Sequence, residues 1–303
     1  MTSKQVSEGQ KRHAAWVDMA AGGVGGALAK SLLSPVQRVV VLKQLGEHNH
    51  LSSVGLVKMI HEKEGYKGFF RGNLTSMIIR FPYSGIQFLL YSKIKFFFQD
   101  LVGDNGEGGS AALQKFVMKC GAGGLSASLA GMMVYPGEVV RLRLMSGEER
   151  FRTIGTTTKL IWQETNSPRN FYRGLNASLA QRVPDILINF AVYETVKDYL
   201  VESGFLGDTA ATMVGASAGA ISSISLCFPL DIAKRRIGMS GTGKSGKSYN
   251  GVAHCLTSIY REEGLAGCYR GAALEAARCV PQVILMWLCI VETQKILSNL
   301  VAH

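Results

Sequence analysis

The chain has 303 residues, of which 47% are apolar and only 18% charged, with 35 glycines and a formal net charge of +11. So little charge and so much glycine exclude an ordinary soluble domain, while a mean hydropathy of +0.14 excludes a plain stack of greasy spans. What fits is a set of helices that pack through small faces around a wet, polar interior.

Residues 1–16 are polar, without the apolar stretch of a secretory signal, so internal segments are expected to direct membrane insertion. Residues 16–45 form a long apolar segment with small faces at Gly22, Gly23 and Gly26, running past Pro35. A polar loop follows, with an amphipathic stretch at Val54–Ile60, and closes on Phe70-Arg71-Gly72. Residues 73–98 are apolar again and hold Arg80 and Pro82. The order then restarts. An apolar segment at 112–144 carries Gly121, Gly124 and Pro136; a loop ends on Tyr172-Arg173-Gly174; a second segment at 175–200 holds Arg182 and Pro184. The third round has 209–238 with Gly215, Gly219 and Pro229, an amphipathic Val252–Tyr260, Tyr269-Arg270-Gly271, and 272–299 with Arg278 and Pro281.

Of the seven prolines, all but Pro168 therefore fall into two series that recur, with the Arg-Gly pair, about every hundred residues. The chain reads as three repeats, 1–105, 106–205 and 206–303. Each contributes two segments longer than the ~20 residues that cross a bilayer. The expected fold is an all-α membrane protein of six transmembrane helices. The long loops inside repeats read as basic, with Arg141, Arg143, Arg150, Arg152 and Lys159 in the second, and the short loops between repeats carry Asp100, Asp104, Glu107, Glu202 and Asp208. Both termini are thus expected on the face opposite the long loops.

A basic chain suits nucleic acid, an acidic membrane surface or anionic small molecules. No Lys/Arg-rich tail or zinc-finger spacing supports nucleic acid. The six cysteines (120, 227, 255, 268, 279 and 289) show no CxxC, and His48 and His50 lack a metal partner, so no metal site is expected. Gly238 to Ser245 matches the phosphate-loop pattern G-x4-G-K-S, but it follows an apolar helix instead of a strand and reads as a flexible basic loop. Nucleotide hydrolysis through Lys244 is the rival that this match would support, and the chain is not expected to be an enzyme.

Past the first proline, repeat 2 reads Pro136-Gly137-Glu138-Val139-Val140-Arg141-Leu142-Arg143 and repeat 3 Pro229-Leu230-Asp231-Ile232-Ala233-Lys234-Arg235-Arg236. An acid and a base three apart share one helix face and can pair across a central axis. A second charged set, Glu194 and Lys197 with Glu292 and Lys295, lies at the other end of the segments. These motifs, with Glu64–Gly72 and Glu263–Gly271 matching [DE]-G-x4-[FYW]-[KR]-G, resemble the mitochondrial carrier family over essentially the whole chain. The resemblance implies a pseudo-threefold six-helix barrel in the inner mitochondrial membrane, or in the peroxisomal membrane of some relatives, with amphipathic helices on the matrix face. It implies a matrix gate at Gln37, Glu138, Arg141, Asp231 and Lys234, a cytoplasmic gate at Lys95, Glu194, Lys197, Glu292 and Lys295, and cardiolipin near Gly72, Gly174 and Gly271. A monomer is expected, with no cofactor beyond the lipid.

Repeat 1 departs from the pattern: Gln37 replaces the acid and Val40 the base, leaving Gln37 to hydrogen-bond Arg141, Asp231 to face Val40, and Glu138–Lys234 as the one full gate pair. Ser92 replaces the acid beside Lys95, and Asn166-Ser167 stand in place of a Glu-Gly pair in repeat 2. Just before the second prolines lie Arg80, Arg182 and Arg278, a cationic set suited to phosphate or carboxylate. By the resemblance Gln181 and Lys30 join them, with Arg235, while Lys234-Arg235-Arg236-Ile237-Gly238-Met239 differs from ADP/ATP carriers. The expected function is antiport of a nucleotide-like or phosphorylated anion (adenine nucleotide, phosphate or coenzyme A). The alternatives are a di- or tricarboxylate carrier and a degenerate carrier serving as a membrane scaffold or receptor.

Overall fold

The computed structural model describes residues 26–46, 48, 50–102, 109–241 and 248–302, with side chains left out at 98–99, 101–102, 109–120, 290 and 293–302. Gly22, Gly23, the side chains of Cys120 and Lys295, and the Gly243-Lys244-Ser245 loop lie outside what is described. Helical residues 26–32 lead through a turn at Leu33 into α1 (Ser34–Leu45). Then come α2 (Ser53–Gly68), α3 (Asn73–Val102), α4 (Gly109–Ser146), α5 (Ile154–Gln163), a 3₁₀ turn (Pro168–Tyr172), α6 (Leu175–Glu202), α7 (Asp208–Gly238), α8 (Val252–Cys268) and α9 (Ala272–Ala302). The described residues contain no strand.

The three rounds share local geometry as well as order. Proline lacks the N–H that an interior helical position donates. Pro136 and Pro229 nonetheless sit inside α4 and α7, while the chain breaks at Leu33 before Pro35. After the first long helix a surface helix starts on a side-chain cap in two rounds: Ser52 accepts from Gly55 N at 3.1 Å, and Thr153 and Thr156 form a reciprocal box. Each surface helix then turns on a left-handed residue, Gly65 (φ 65), Asn166 (φ 48) or Gly264 (φ 68). Gly65 and Gly264 combine positive φ with ψ of −165° and −169°, a region essentially confined to glycine, while the positive φ of Asn166 suits the residue type that tolerates it best after glycine. A second left-handed glycine, Gly72, Gly174 or Gly271, starts the next long helix.

Packing follows the repeat. Val39, Leu42, Leu56 and Ile60 join α1 to α2; Tyr135, Val139, Val140, Leu144 and Ile161 join α4 to α5; Phe228, Ile232, Ala233, Cys255 and Ile259 join α7 to α8. A fourth cluster, Val41, Leu45, Met145, Phe151 and Met239, draws on all three repeats and ties them together. Burial raises the Cys255 thiol to about 12, as befits a small hydrophobe in such a core.

The long helices of 30, 38, 28, 31 and 31 residues each exceed the ~30 Å hydrocarbon core at ~1.5 Å per residue. Among the described residues two stretches are also apolar enough to cross it, Asp208–Gly238 and Ala272–Cys289. The others are diluted by polar residues. Large apolar side chains such as Phe81, Phe88, Phe96, Met133 and Leu226 point outward, a surface that suits lipid.

Candidate functional site

Each repeat buries an arginine against the glutamate of its surface helix. Arg143 pairs with Glu164, and Arg236 with Glu263 at 2.6 Å. Repeat 1 has Leu42 at the matching position, and Arg38, one turn earlier on the same face, pairs with Glu64 at 2.6 Å and donates to Gly68 O. Arg38 and Arg143 are fully buried. The arginine of each Arg-Gly pair closes the triad: Arg71–Glu64 at 2.9 Å, Arg173–Glu164 at 3.4 Å and Arg270–Glu263 at 3.2 Å. For the Glu64 carboxyl, partial burial acts to raise its pKa, but the bond and charge of Arg38, joined by Arg71, win and hold it below its ordinary value.

Two readings of the sequence are corrected here. Asn166-Ser167 do not replace the Glu-Gly pair of repeat 2. Two extra residues precede Arg173, so the carboxylate is Glu164 and Asn166 supplies the left-handed turn. Arg141 and Arg143 are not loop charges; both lie in α4, with Arg143 in the buried triad. The triads also reach across repeats: Arg71 donates to Phe151 O at 3.2 Å, Arg173 to Ser240 O at 2.7 Å, and Arg236 to Gln44 O at 3.2 Å.

At this same end of the long helices the predicted gate charges gather, Glu138 and Lys234 within electrostatic reach of each other as expected and Arg141 and Asp231 with other partners. Arg141 bonds Glu138 on its own helix at 3.3 Å, not Gln37, because three residues' spacing already aligns them. Asp231 does face a repeat 1 helix lacking a base at Val40, but it is not left open. Arg235 of α7 binds it at 3.0 Å, Gln44 of α1 at 3.1 Å and Gln181 of α6 at 3.4 Å. Asp231 thus links all three repeats. Lys234 stands within electrostatic reach of Asp231 and Glu138 together. Beside them a cavity of about 90 Å³ is lined by Glu138, Arg141, Arg173, Lys234 and Arg235.

Deeper along the helices lies the basic set. Arg80 crosses Gly26, where an added Cβ would stand 3.1 Å from its guanidinium, and Arg182 covers Gly131 in the same way at 2.8 Å. Arg182 donates to Tyr83 Oη at 3.0 Å and Ala127 O at 3.2 Å, its guanidinium 5.5 Å from the Tyr83 ring centroid. Lys30 lies within electrostatic reach of Arg80, Arg141, Glu138 and Arg278. Arg278 is gripped by Glu275 and donates to Gln282. Lys30, Arg80 and Arg278, from repeats 1 and 3, thus share one neighbourhood beside the gate cluster, and Arg182 of repeat 2 lies within electrostatic reach of Lys234 in that cluster.

Of the opposite charged set, the Lys295 side chain lies outside the described residues, and the rest stands near the other ends of the long helices. Lys197 bonds Asp208 at the start of α7 at 3.2 Å, Lys95 and Glu292 are exposed, and Ser92 donates to Phe88 O at 3.1 Å. Gly72, Gly174 and Gly271 are required by their left-handed backbones, and the first two also by close approach. A Cβ at Gly72 would come within 2.7 Å of Met145, and one at Gly174 within 2.9 Å of Lys234 O. Sequence reasoning missed Arg38, Gln44, Tyr83, Glu164 and Glu275. For Glu275 the signal was present, an acid three residues before an arginine in an apolar helix.

A triple helical repeat with charges gathered inside it defines a membrane carrier by architecture. The chain matches the family model "Mitochondrial carrier protein" at residues 11–101, 113–204 and 208–300, and belongs to that family, whose members are transporters and not enzymes. It is 30% identical over 269 residues to the thylakoid ADP,ATP carrier protein of Arabidopsis thaliana, covering 86% of this chain and 61% of that protein. It is 29% identical to the mitochondrial adenine nucleotide transporter ADNT1 of the same plant, over 87% of this chain and 82% of the relative. With solute carrier family 25 member 16 of Mus musculus it shares 28% identity, over 86% and 82%.

Proposed function

We propose that this chain carries a phosphorylated or nucleotide-like anion across the inner mitochondrial membrane by alternating access, in a six-helix barrel. The observation that supports the reading is the gathering of Lys30, Arg80 and Arg278, with Arg182 in reach of Lys234 beside them, within a helical shell whose outer face is apolar. Ionisable groups at such depth are costly and persist for a function. Guanidinium pairs suit phosphate and carboxylate, so a di- or tricarboxylate is the second substrate class. Two of the relatives are named for adenine nucleotides, which favours the first.

The transport mode follows from the gate. Glu138–Arg141 and Asp231–Arg235 close within single helices, and the links between repeats at Asp231 come from the neutral Gln44 and Gln181. Both amides donate to a carboxylate, so each bond is charge-assisted on one side only and lacks the charge pairing of a salt bridge between repeats. We infer exchange accompanied by measurable net uptake. Cardiolipin is proposed at the helix starts after Gly72, Gly174 and Gly271, where backbone N–H groups favour phosphate.

Purified protein in cardiolipin-containing liposomes, offered labelled ADP, coenzyme A, phosphate, malate and citrate with and without internal counter-anion, tests the reading. Uptake of a phosphorylated anion is expected, faster with counter-anion present. Failure of every anion to enter through folded protein contradicts transport and favours the scaffold role.

A further inference from the structure

Repeats 1 and 2 meet at a cavity of about 1010 Å³ that shares no residue with the deep basic set or with the smaller cavity at the gate charges. One wall is the end of α2 and the turn after it, with Lys63, Lys67 and Arg71. The other is the segment between α4 and α5, with Arg150 and Arg152. Every residue of the lining is charged or glycine. Small-molecule sites run to ~300–1,000 Å³, so the space admits a nucleotide-sized solute, yet it offers an acyl chain no apolar surface to lie on.

The two walls are fixed to each other. Arg71 donates to Glu148 O at 3.5 Å and to Phe151 O at 3.2 Å, Phe151 is buried, and the Arg150 guanidinium lies 4.8 Å from its ring centroid. The carboxylates of the lining are already engaged: Glu64 by Arg38 and Arg71, Glu148 by Arg150 at 2.6 Å and Glu149 by Arg152 at 3.8 Å. Lys63 and Lys67 have no ion pair or hydrogen bond among the described residues, and both line the cavity although α2 turns at Gly65 between them. Like charges four residues apart disfavour a helix. At the same distances before its Arg-Gly pair, repeat 3 carries Glu262 and Ala266, so the scaffold does not require a base at either place. We propose that this cavity binds a soluble anion with two or more phosphate groups, Lys63 and Lys67 holding it from repeat 1 and Arg150 and Arg152 from repeat 2. Ammonium groups meet phosphate as point charges and guanidinium groups as forks, and cations on two walls favour an anion whose charge is spread over several groups.

The test is calorimetric binding of inorganic pyrophosphate to the purified chain carrying Arg182→Ala, which takes away a member of the deep basic set, with and without Lys63→Gln and Lys67→Gln together. A pyrophosphate site is expected whose Kd rises about fivefold or more with the lysine pair replaced, and which weakens as salt is added. Arg152→Gln, on the facing wall and 70% exposed, is expected to raise Kd about threefold or more, and it decides the matter if the lysine variant does not fold. Smaller rises, or no pyrophosphate binding at all, overturn the proposal. Cardiolipin vesicles separate a lipid headgroup from a soluble anion: their effect on the unfolding temperature is expected to be the same with and without the two lysines. A cardiolipin effect that disappears with the lysines assigns the cavity to lipid and overturns the proposal. Neither lysine belongs to the deep basic set, so a failure here leaves the transport reading standing, and loss of that reading leaves this site to be judged on pyrophosphate alone.

Discussion

Two charged regions lie close together along the long helices and treat the repeat in opposite ways. The buried Arg–Glu–Arg triads keep threefold equivalence even where the sequence lost it: Arg38 stands in for the base missing at Leu42, and Glu164 with Asn166 for the Glu-Gly pair missing at its usual spacing. The interior set abandons equivalence, with Lys30 in repeat 1 only, Glu275 beside Arg278 only, and Arg235 pairing Asp231 only in repeat 3. A scaffold must be closed in every repeat, because one open corner leaves a buried charge without a partner. A site for an asymmetric small molecule has no such constraint.

The triads should therefore show their worth in stability and the interior set in transport. Arg143→Met leaves Glu164 facing a core without its buried partner. About 3–5 kcal/mol of destabilisation is expected, read as a lower unfolding temperature in detergent. Full stability in this variant would break the division. In repeat 1, Arg38→Leu should destabilise similarly, and adding Leu42→Arg should recover part of the loss by rebuilding the arrangement of repeats 2 and 3. No recovery would mean that Arg38 holds more than the triad.

Acid gives a milder probe of the same corner. The folded-state pKa of Glu64 lies below its unfolded value of about 4.5. Its contribution to stability is thus fully present above that value and lost as pH falls through the depressed one. Glu64→Gln should be less stable at neutral pH and should flatten the acid limb of an unfolding-temperature profile. Parallel limbs for variant and wild type would contradict this. The smallest effect is expected at Lys197–Asp208, where Asp208 is 76% exposed. Asp208→Asn should leave the unfolding temperature unchanged and alter only the uptake rate, by freeing Lys197 for the second gate.

The order of helices was legible because proline, glycine and the Arg-Gly pair punctuate each repeat in the same sequence. Surface helices were legible from their apolar spacing. The compensations were not. Arg38 works from one turn away, Glu164 is shifted by two residues, and Gln44 is a neutral residue outside the charged signature. A helix offers equivalent positions every three or four residues, so a side chain can satisfy a pairing without occupying the motif's place. The proline ruler found the deep arginines but, searching for bases alone, passed over the acid three residues from one of them.

The most direct test of the central claim measures, on the same preparations, anion uptake and unfolding temperature for Arg182→Ala and Arg278→Ala. We predict that both fold with an unfolding temperature near wild type and that uptake is lost in each. Undiminished uptake in both folded variants would contradict the assignment of these arginines to the anion site.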